Sequence, residues 1–293
     1  MESVKGYVDG LKTLEVISKN KNDSIKYADF SEFSPCYKFS NENLAAYYDK
    51  FNNSIDNGRI LTVCGSGDQV LSSILYGAKS IDCFDSNYLT YYGMMLKIYI
   101  IKYLEHRDFC SFYDIDKKKS DKLYIYNSLK MFIDDKNVRA FFDVLFESGL
   151  DFSYFFRNED FSINDVFMCI PYLIRDNFYL LKEKIDDCKI NFKCSNLLDI
   201  YDNFNGYYDF INFSNIFFYI KNEISFYNLI NESYNNHLND NGVIIANYSW
   251  QKPFESSDVI KCSEMIDGHQ CKLSPSCIQD EANTVVYKKK LGF

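Results

Sequence analysis

The sequence predicts an α/β fold, in which a doubly wound, mostly parallel sheet of seven strands carries helices on its faces. Three observations support this class. Short apolar runs alternate with segments of helical periodicity, a Gly-x-Gly turn joins the first run to a helix, and the last run alternates as an antiparallel edge strand does.

The first half of the predicted sheet lies in residues 57–106. "NGRILTVCGSG" reads as a turn and a buried strand that ends at glycine, and "DQVLSSILYGAKS" as a helix that ends near Gly77. The segment "SIDCFD" is a second strand, and "YLTYYGMMLKIYIIKYLEH" a second helix. This alternation predicts parallel strands with right-handed crossovers.

The alternation pauses between about residues 107 and 188, where helical patterns occur without a buried strand, so we expect a helical insertion between the second and third strands. Strand candidates then resume with "KINFKCSN", "YYDFINFSN" and "GVIIANYSW". The helix "EISFYNLINESYNNHLND" precedes the last of these and is expected to close at Asn241-Gly242. The tail adds two candidates, "DVIKCSEM" and "NTVVYKKK", the latter an antiparallel edge strand.

The domain prediction divides the chain into an N-terminal helical cap, residues 1–50, and a main domain, residues 51–293. "NENLAAYYDKFNNS" is a helix with its cap at Ser40 or Asn41. The aromatic-rich segment 37–51 has two interpretations, a lid over a ligand or a helix packed on the sheet.

Composition narrows the classes of partner. The net charge of the 293-residue chain is −9, and its densest basic runs, 117–119 and 288–290, are short enough to be solvated faces. This balance argues against nucleic acid, although a small structured RNA stays open. The sequence has no signal-peptide pattern and no apolar run of membrane-spanning length, so we expect a cytoplasmic protein.

The ten cysteines contain no Cys-x-x-Cys pair, which fits core thiols in a reducing compartment. One cluster, Cys262, His269, Cys271 and Cys277, has the residue types of a zinc site, but its spacing matches no common zinc pattern. We therefore predict no bound metal.

The glycine turn and the acid that follows it predict a nucleoside-containing ligand. Glycines let the backbone turn sharply and let a ligand approach, and the next helix presents unpaired N–H groups. Asp85 ends the second strand 18 residues after Gly67 (85 − 67), where a carboxylate can accept from ribose hydroxyls. The alternative is a tight turn with a surface Asp.

The same turn argues against a dinucleotide. Val70 stands where a third glycine is expected, and Asp68 puts a negative charge at the helix start, where phosphates would lie. A ligand with an ammonium group and a single carboxylate tolerates that acid better. S-adenosylmethionine (SAM) is such a molecule, so we place NAD second.

With these motifs the chain resembles the class I, Rossmann-like SAM-dependent methyltransferase superfamily. "VCGSGDQ" is similar to its glycine motif, "DCFDSN" to its ribose motif, "FKCSNLLDI" to its adenine loop, and "YYDFINFSNIFFY" to its fourth strand. The resemblance implies a cofactor site lined by Gly65, Ser66, Gly67, Asp68, Gln69, Asp85, Ser86, Asn87, Ser195, Asn196, Ser214 and Asn215.

A narrower resemblance connects the stretches "GSGDQVLSSILYGAKSIDCFDSN", "YYGMMLKIYIIKYL" and "RDFCSFY" to the branch that contains the betaine-lipid aminocarboxypropyltransferases. Those enzymes move the 3-amino-3-carboxypropyl arm of SAM instead of its methyl group. The long insertion between the second and third strands also fits that branch.

The function expected from the sequence is a SAM-dependent transferase, most simply a methyltransferase acting on a small-molecule or lipid-like acceptor. Aminocarboxypropyl transfer is the rival within the same class, and a non-catalytic SAM-binding or NAD-binding protein is the alternative outside it. Asn215, Tyr219 and Tyr248 are the candidate catalytic residues, because they follow the fourth and fifth strands. The many aromatics could also form a patch that seats the acceptor or a second subunit of a homodimer.

Overall fold

The computed structural model describes residues 35–114, 118–147, 155–156, 163–220, 223–248 and 283–289. Within these ranges, six strands form one sheet in the order β3-β2-β1-β4-β5-β6. The strands are β1 (Arg59–Val63), β2 (Ser80–Asp85), β3 (Lys189–Cys194), β4 (Tyr208–Asn212), β5 (Leu238–Tyr248) and β6 (Asn283–Lys288). The predicted α/β class is confirmed.

The sheet is parallel except for its last pair, in which β6 runs antiparallel to β5, as the alternation in "NTVVYKKK" predicts. The described sheet has six strands rather than the expected seven. The remaining candidate, "DVIKCSEM", lies outside the described residues.

The central strand β1 explains why both faces of the sheet are covered. Thr62 lies opposite Cys83 of β2 on one side and Asn212 of β4 on the other. Successive side chains of a strand point to opposite faces, so Ile60 enters one hydrophobic core and Leu61 the other. A strand buried on both faces reads as a continuous apolar run, which is the signal that "ILTV" carries.

Helices cover both faces. Those in the described ranges are α1 (Leu44–Lys50), α2 (Asn52–Ile55), α3 (Asp68–Leu75), α4 (Leu89–Tyr103), α5 (His106–Tyr113), α6 (Lys119–Leu129), α7 (Lys136–Glu147), α8 (Ile163–Val166), α9 (Arg175–Lys184), α10 (Ile200–Asn203) and α11 (Glu223–Glu232).

The connection between β2 and β3 is helical over its described part, α4 to α9, apart from an isolated bridge between Cys36 and Phe156. Its buried side chains join α1 and α3 in the core that contains Ile60. The helices α10 and α11 pack in the other core, with Leu61. The predicted helical insertion is therefore confirmed, and it thickens one face of the sheet.

Two predicted helix boundaries are wrong. The cap of α1 is Asn43, whose side chain accepts from the Ala46 N–H at 3.2 Å, rather than Ser40 or Asn41, which line a pocket instead. The helix α11 does not reach Asn241-Gly242. It ends at Glu232 and continues as one π-turn to His237, and β5 begins at Leu238.

Segment 37–51 packs on the sheet through α1, and its interpretation as a lid stays a prediction. Leu44, Tyr47 and Tyr48 of α1 are buried in the core beside the sheet, whereas the residues just before α1 line a pocket. The division of the chain at residue 50 stays a prediction. None of the helices in the described ranges has the length and apolar content to cross a membrane.

Candidate ligand-binding site

A pocket of about 330 Å³ opens at the carboxyl ends of the parallel strands. In the sheet, β2 and β3 lie on one side of β1, and β4 and β5 lie on the other. The pocket therefore lies at the switch point between β1 and β4, where the strand order reverses. Ligands bind at such points in open α/β sheets. Loops that follow β1, β2, β3 and β4 all contribute to its lining, together with residues 35–42.

The glycine turn after β1 forms one wall. Gly65 has a φ of +53°, and a Cβ placed there would meet its nearest neighbour, Gln69 Oε1, only at 3.7 Å, so the pocket side of the turn is open. Gly67 has a φ of +84° and lies outside the pocket lining, next to Met94. A Cβ there would stand 3.0 Å from both Cα and Cβ of Met94 in α4. The first glycine thus faces ligand space, whereas the second permits close packing of α3 on α4.

Asp85 stands at the end of β2, and its carboxylate faces the pocket. Its Oδ2 accepts from the Gly65 N–H and its Oδ1 from the Asn87 N–H, both at 2.9 Å. These bonds fix the carboxylate and connect the ends of β1 and β2. A carboxylate is an acceptor-only group, and this one lines the pocket, where ligand hydroxyls can donate to it.

Asp68 lies beneath the glycine turn, outside the pocket lining, and its side chain is fully buried. It forms an ion pair with the equally buried Lys97 of α4 and accepts from the Tyr172 hydroxyl. It also accepts from the Ser66 hydroxyl at 2.9 Å and the Ser40 N–H at 2.6 Å. The expectation that Asp68 faces the ligand is not met by this geometry.

The loop after β3 forms the opposite rim. The Ser195 N–H donates to the Asp85 carbonyl at 3.0 Å, which places this loop directly beside the acid. Asn196 uses its side chain to cap the following turn, accepting from the Leu198 N–H at 3.3 Å. Leu197 adds an apolar surface to the lining. Such a mixed rim can accommodate a flat heteroaromatic ring.

The loop after β4 is held in an unusual conformation. Ser214 has a φ of +52°, a region that residues other than glycine rarely adopt. Its N–H donates to Asn212 Oδ1 at 2.7 Å, and its carbonyl accepts from the Asn247 N–H at 2.7 Å. Neighbouring strands therefore fix Ser214, and its hydroxyl is aimed into the pocket lining. Backbone strain of this kind concentrates at functional sites.

Residues 35–42, here called the N-terminal strap, complete the pocket. The Tyr37 and Tyr219 hydroxyls are hydrogen-bonded at 2.6 Å, and Asn215 donates to Asn41 Oδ1 at 3.4 Å. The strap and the loop after β4 thus enclose the pocket from two sides. A lid over the ligand is one of the two interpretations of segment 37–51 from the sequence, but no motif indicated which of its side chains line the pocket.

Glu42 ends the strap and is a buried carboxyl group, 1% exposed. It accepts hydrogen bonds from the Ser214 hydroxyl, the Tyr47 hydroxyl, the Asn247 amide and the Asn215 N–H. Burial raises its pKa above the ordinary value, and these four donors partly oppose the rise. No lysine, arginine or histidine within the described ranges is ion-paired with it.

Most of the residues proposed from the sequence come together here. Those that line the pocket are Gly65, Ser66, Gln69, Asp85, Ser86, Asn87, Ser195, Asn196, Ser214, Asn215 and Tyr219. Gly67 and Asp68 lie behind the lining. Tyr248 ends β5, where its backbone pairs with Asn283, and its side chain is outside the described part of the chain. No motif in the sequence indicated Glu42 or Lys97 as parts of the site.

The described residues contain no group of three or more His, Cys, Asp or Glu side chains placed to hold a metal ion. The Cys262, His269, Cys271 and Cys277 cluster lies outside them, so its metal-binding capacity stays a prediction from spacing.

No protein-family model matches the chain, and no curated protein matches it. Among solved structures, an rRNA methylase from Streptococcus thermophilus superimposes with a TM-score of 0.39 at 7% identity, over 83% of this chain and 94% of that one. The N-methyltransferase NodS from Bradyrhizobium japonicum WM9 gives a TM-score of 0.37 at 7% identity, over 84% of this chain and 97% of its own.

The strand order and the pocket, taken by themselves, define a doubly wound, Rossmann-like α/β protein. Its pocket lies at the switch point of the sheet and is lined by a glycine turn, an acid at the end of β2 and a buried carboxyl group from the strap.

Proposed function

We propose that the protein is a SAM-dependent transferase that binds its cofactor in this pocket. The observation that carries the proposal is the connection between Asp85 and Gly65, whose hydrogen bond fixes an acceptor carboxylate at the open face of the glycine turn. In this arrangement Asp85 would accept from the ribose hydroxyls, while Ser195, Asn196 and Leu197 would border the adenine.

The residues present fit this cofactor better than a dinucleotide. A dinucleotide-binding turn has a third glycine three residues after the second, which allows close packing of the helix against the sheet. Val70, at the position of a third glycine, is fully buried in the core. At the far end of the pocket, Glu42 and the unpartnered Gln69 Oε1 offer acceptors to a cationic group.

Bound SAM supplies an electrophilic carbon on a sulfonium, either its methyl group or its aminocarboxypropyl arm. The chain's own contribution is to bind and enclose it. The Tyr37–Tyr219 hydrogen bond would limit water access, and Asn215 and Tyr219 would orient an acceptor through their polar atoms. We propose methyl transfer to a small-molecule or lipid-like acceptor, with aminocarboxypropyl transfer as the rival.

The apolar part of the lining supports this acceptor class. Phe39, Ile216 and Ile220 lie beside the polar groups of the strap and the β4 loop, so a partly hydrophobic molecule can reach the reacting end. The net charge of −9 disfavours a polyanionic acceptor.

The test is calorimetric titration of the full-length protein with SAM and with NAD, followed by identification of the by-product formed in a metabolite extract. We expect SAM to bind and NAD to bind weakly or not at all. Release of S-adenosylhomocysteine would support methyl transfer, and methylthioadenosine would support transfer of the aminocarboxypropyl arm. Absence of SAM binding, or tighter NAD binding, would overturn the proposal.

A further inference from the structure

We infer that Glu42 and Gln69 together bind the ammonium group of the ligand's amino-acid arm, so that the strap selects for a zwitterionic ligand. This inference rests on the proposed function, because it names what the end of the pocket remote from Asp85 recognises. It assigns a binding role to a residue of the strap, a segment that precedes the sheet.

The pocket lining in the described residues contains two carboxyl groups, Asp85 and Glu42. Asp85 ends β2 beside the β3 loop, whereas Glu42 contacts the Ser214 hydroxyl after β4. The two acids therefore lie at opposite sides of the switch point. A ligand that places its ribose on Asp85 extends its other end toward Glu42.

The environment of Glu42 suits a carboxylate that binds a cation. Its four hydrogen-bond partners are neutral donors, and no protein cation in the described ranges balances its charge. The cost of burying a carboxylate falls when a cation is bound against it. An ammonium group entering the pocket would supply that charge.

Gln69 gives an independent indication. Its side chain is 3% exposed and lines the pocket, and its Oε1 is a buried acceptor without a partner. Its Nε2 donates toward the Ser214 hydroxyl at 3.3 Å and the Ser40 hydroxyl at 3.5 Å. Those two hydroxyls also contact Glu42, the first through its carboxylate and the second through its N–H at 3.2 Å. Glu42 and Gln69 thus share one small polar cluster.

The unpartnered acceptor distinguishes an ammonium from a sulfonium. A buried carbonyl oxygen without a hydrogen-bond donor is costly, and each ammonium offers three N–H donors. A sulfonium has a positive charge but no donor, so it could balance Glu42 while leaving Gln69 Oε1 unsatisfied. The pair therefore matches the amino group of the arm.

The other acids near the glycine turn cannot take this role. Asp68 is committed to Lys97, and the residue that lines the pocket at the end of β1 is the aliphatic Val63. Glu42 is the carboxyl group left for the amino-acid end of the ligand.

The experiment measures the affinity of wild-type, Glu42→Gln and Gln69→Met proteins for three probes. SAM and S-adenosylhomocysteine both carry the ammonium, but only SAM carries the sulfonium, and methylthioadenosine carries neither. For both variants we expect affinity for SAM and S-adenosylhomocysteine to fall about tenfold or more, the scale of losing a hydrogen bond to a charged group. Affinity for methylthioadenosine should stay within about twofold of wild type, because adenosine contacts are untouched.

Glu183→Gln, an exposed change on α9, is the matched control and should bind all three probes as wild type does. An equal loss for all three probes in Glu42→Gln would assign Glu42 a structural role and overturn the inference. A loss confined to SAM would assign it to the sulfonium and also overturn it. Failure of the wild-type protein to bind any probe would instead remove the proposed function on which the inference rests.

Discussion

Lys97 Nζ lies 2.5 Å from Asp68 Oδ1, and both side chains are completely buried beneath the glycine turn. The ammonium also lies over the rings of Phe39, at 4.7 Å, and Tyr113, at 5.5 Å. Since Asp68 also accepts from the Ser40 N–H, the pair connects α3, α4 and the strap. The geometry of the pocket wall thus depends on a contact that no ligand touches.

Lys97→Met should therefore destabilise the protein strongly. Removing one partner of a buried ion pair leaves the other charge uncompensated, which costs about 3–5 kcal/mol. Urea unfolding of the two proteins measures the difference in the free energy of unfolding. Lys102→Met is the control, because Lys102 pairs with the exposed Asp186 at the surface, and that change should cost at most about 1 kcal/mol.

The double variant Asp68→Asn/Lys97→Met distinguishes charge from packing. Once both charges are gone, much of the lost stability should return, since a buried ion pair is often replaceable by uncharged groups. Equal stability of the single and double variants would show that the unpaired Asp68 carboxylate is not what destabilises Lys97→Met.

Asp68 also illustrates what the sequence could and could not predict. The pattern placed it at the start of a helix after a glycine turn, and α3 does begin at Asp68. Its partner is 29 residues away, inside an apolar helix where a lysine has no local signal (97 − 68). Only the tertiary structure brings Asp68 and Lys97 together. The sequence pattern therefore predicted an acid that faces the ligand, whereas the structure has a buried one.

The two glycines of the turn should respond differently to alanine. Gly67→Ala places a Cβ 3.0 Å from Met94 and at a φ of +84°, so overpacking and backbone strain should cost about 2–4 kcal/mol. Gly65→Ala meets no atom closer than 3.7 Å and should cost about 1–2 kcal/mol, from the positive φ alone.

Ligand affinity should separate these glycines as well. The methyl group of Gly65→Ala projects toward ligand space, so binding of SAM should weaken even in a folded protein. Thermal melts with and without SAM measure both effects in one experiment. If Gly65→Ala proved the less stable of the two, the close approach of Met94 to Gly67 would not be what requires a glycine in this turn.

Asp85→Ala should weaken every adenosine-containing ligand. The substitution removes the acceptor for ribose hydroxyls and releases the Gly65 N–H, and each hydrogen bond to a charged group is worth about 1.5–3 kcal/mol. We expect at least about a tenfold loss of affinity by calorimetry for both SAM and methylthioadenosine. Asp202→Asn, an exposed change on α10, is the control. If Asp85→Ala kept its affinity for SAM and methylthioadenosine, Asp85 would not be the residue that binds the ribose.

The loops that line the site could be predicted from the sequence, because each comes directly after a recognisable strand. Asp85 ends β2, and Ser195 and Ser214 follow β3 and β4. The carboxyl ends of parallel strands meet at one edge of a sheet. Glu42 follows no strand. It reaches the pocket because α1 packs on α3 and the strap before it is held by Tyr37 and Asn41, contacts that link residues more than 170 positions apart.

Glu42→Gln should change how stability depends on pH. Burial raises the pKa of Glu42 in the folded protein above 4.5, so between that value and its folded pKa the native state holds a proton that the unfolded chain has lost. The stabilisation from this proton is complete below pH 4.5 and is lost as pH rises through the folded pKa. Tyr47 does not interfere, because burial raises its pKa above 10.

The wild-type protein should therefore lose stability relative to Glu42→Gln as the pH increases. Inside the window the gap should grow by up to about 1.4 kcal/mol per pH unit and then level off. Urea unfolding of both proteins at intervals from pH 4 to pH 8 measures this difference in the free energy of unfolding. The contributions of the other titrating groups cancel in the difference, because both proteins share them. Parallel stability curves would mean that Glu42 is not desolvated in the folded state. A variant that is more stable but binds SAM less tightly would identify Glu42 as a residue kept for ligand recognition at the expense of stability.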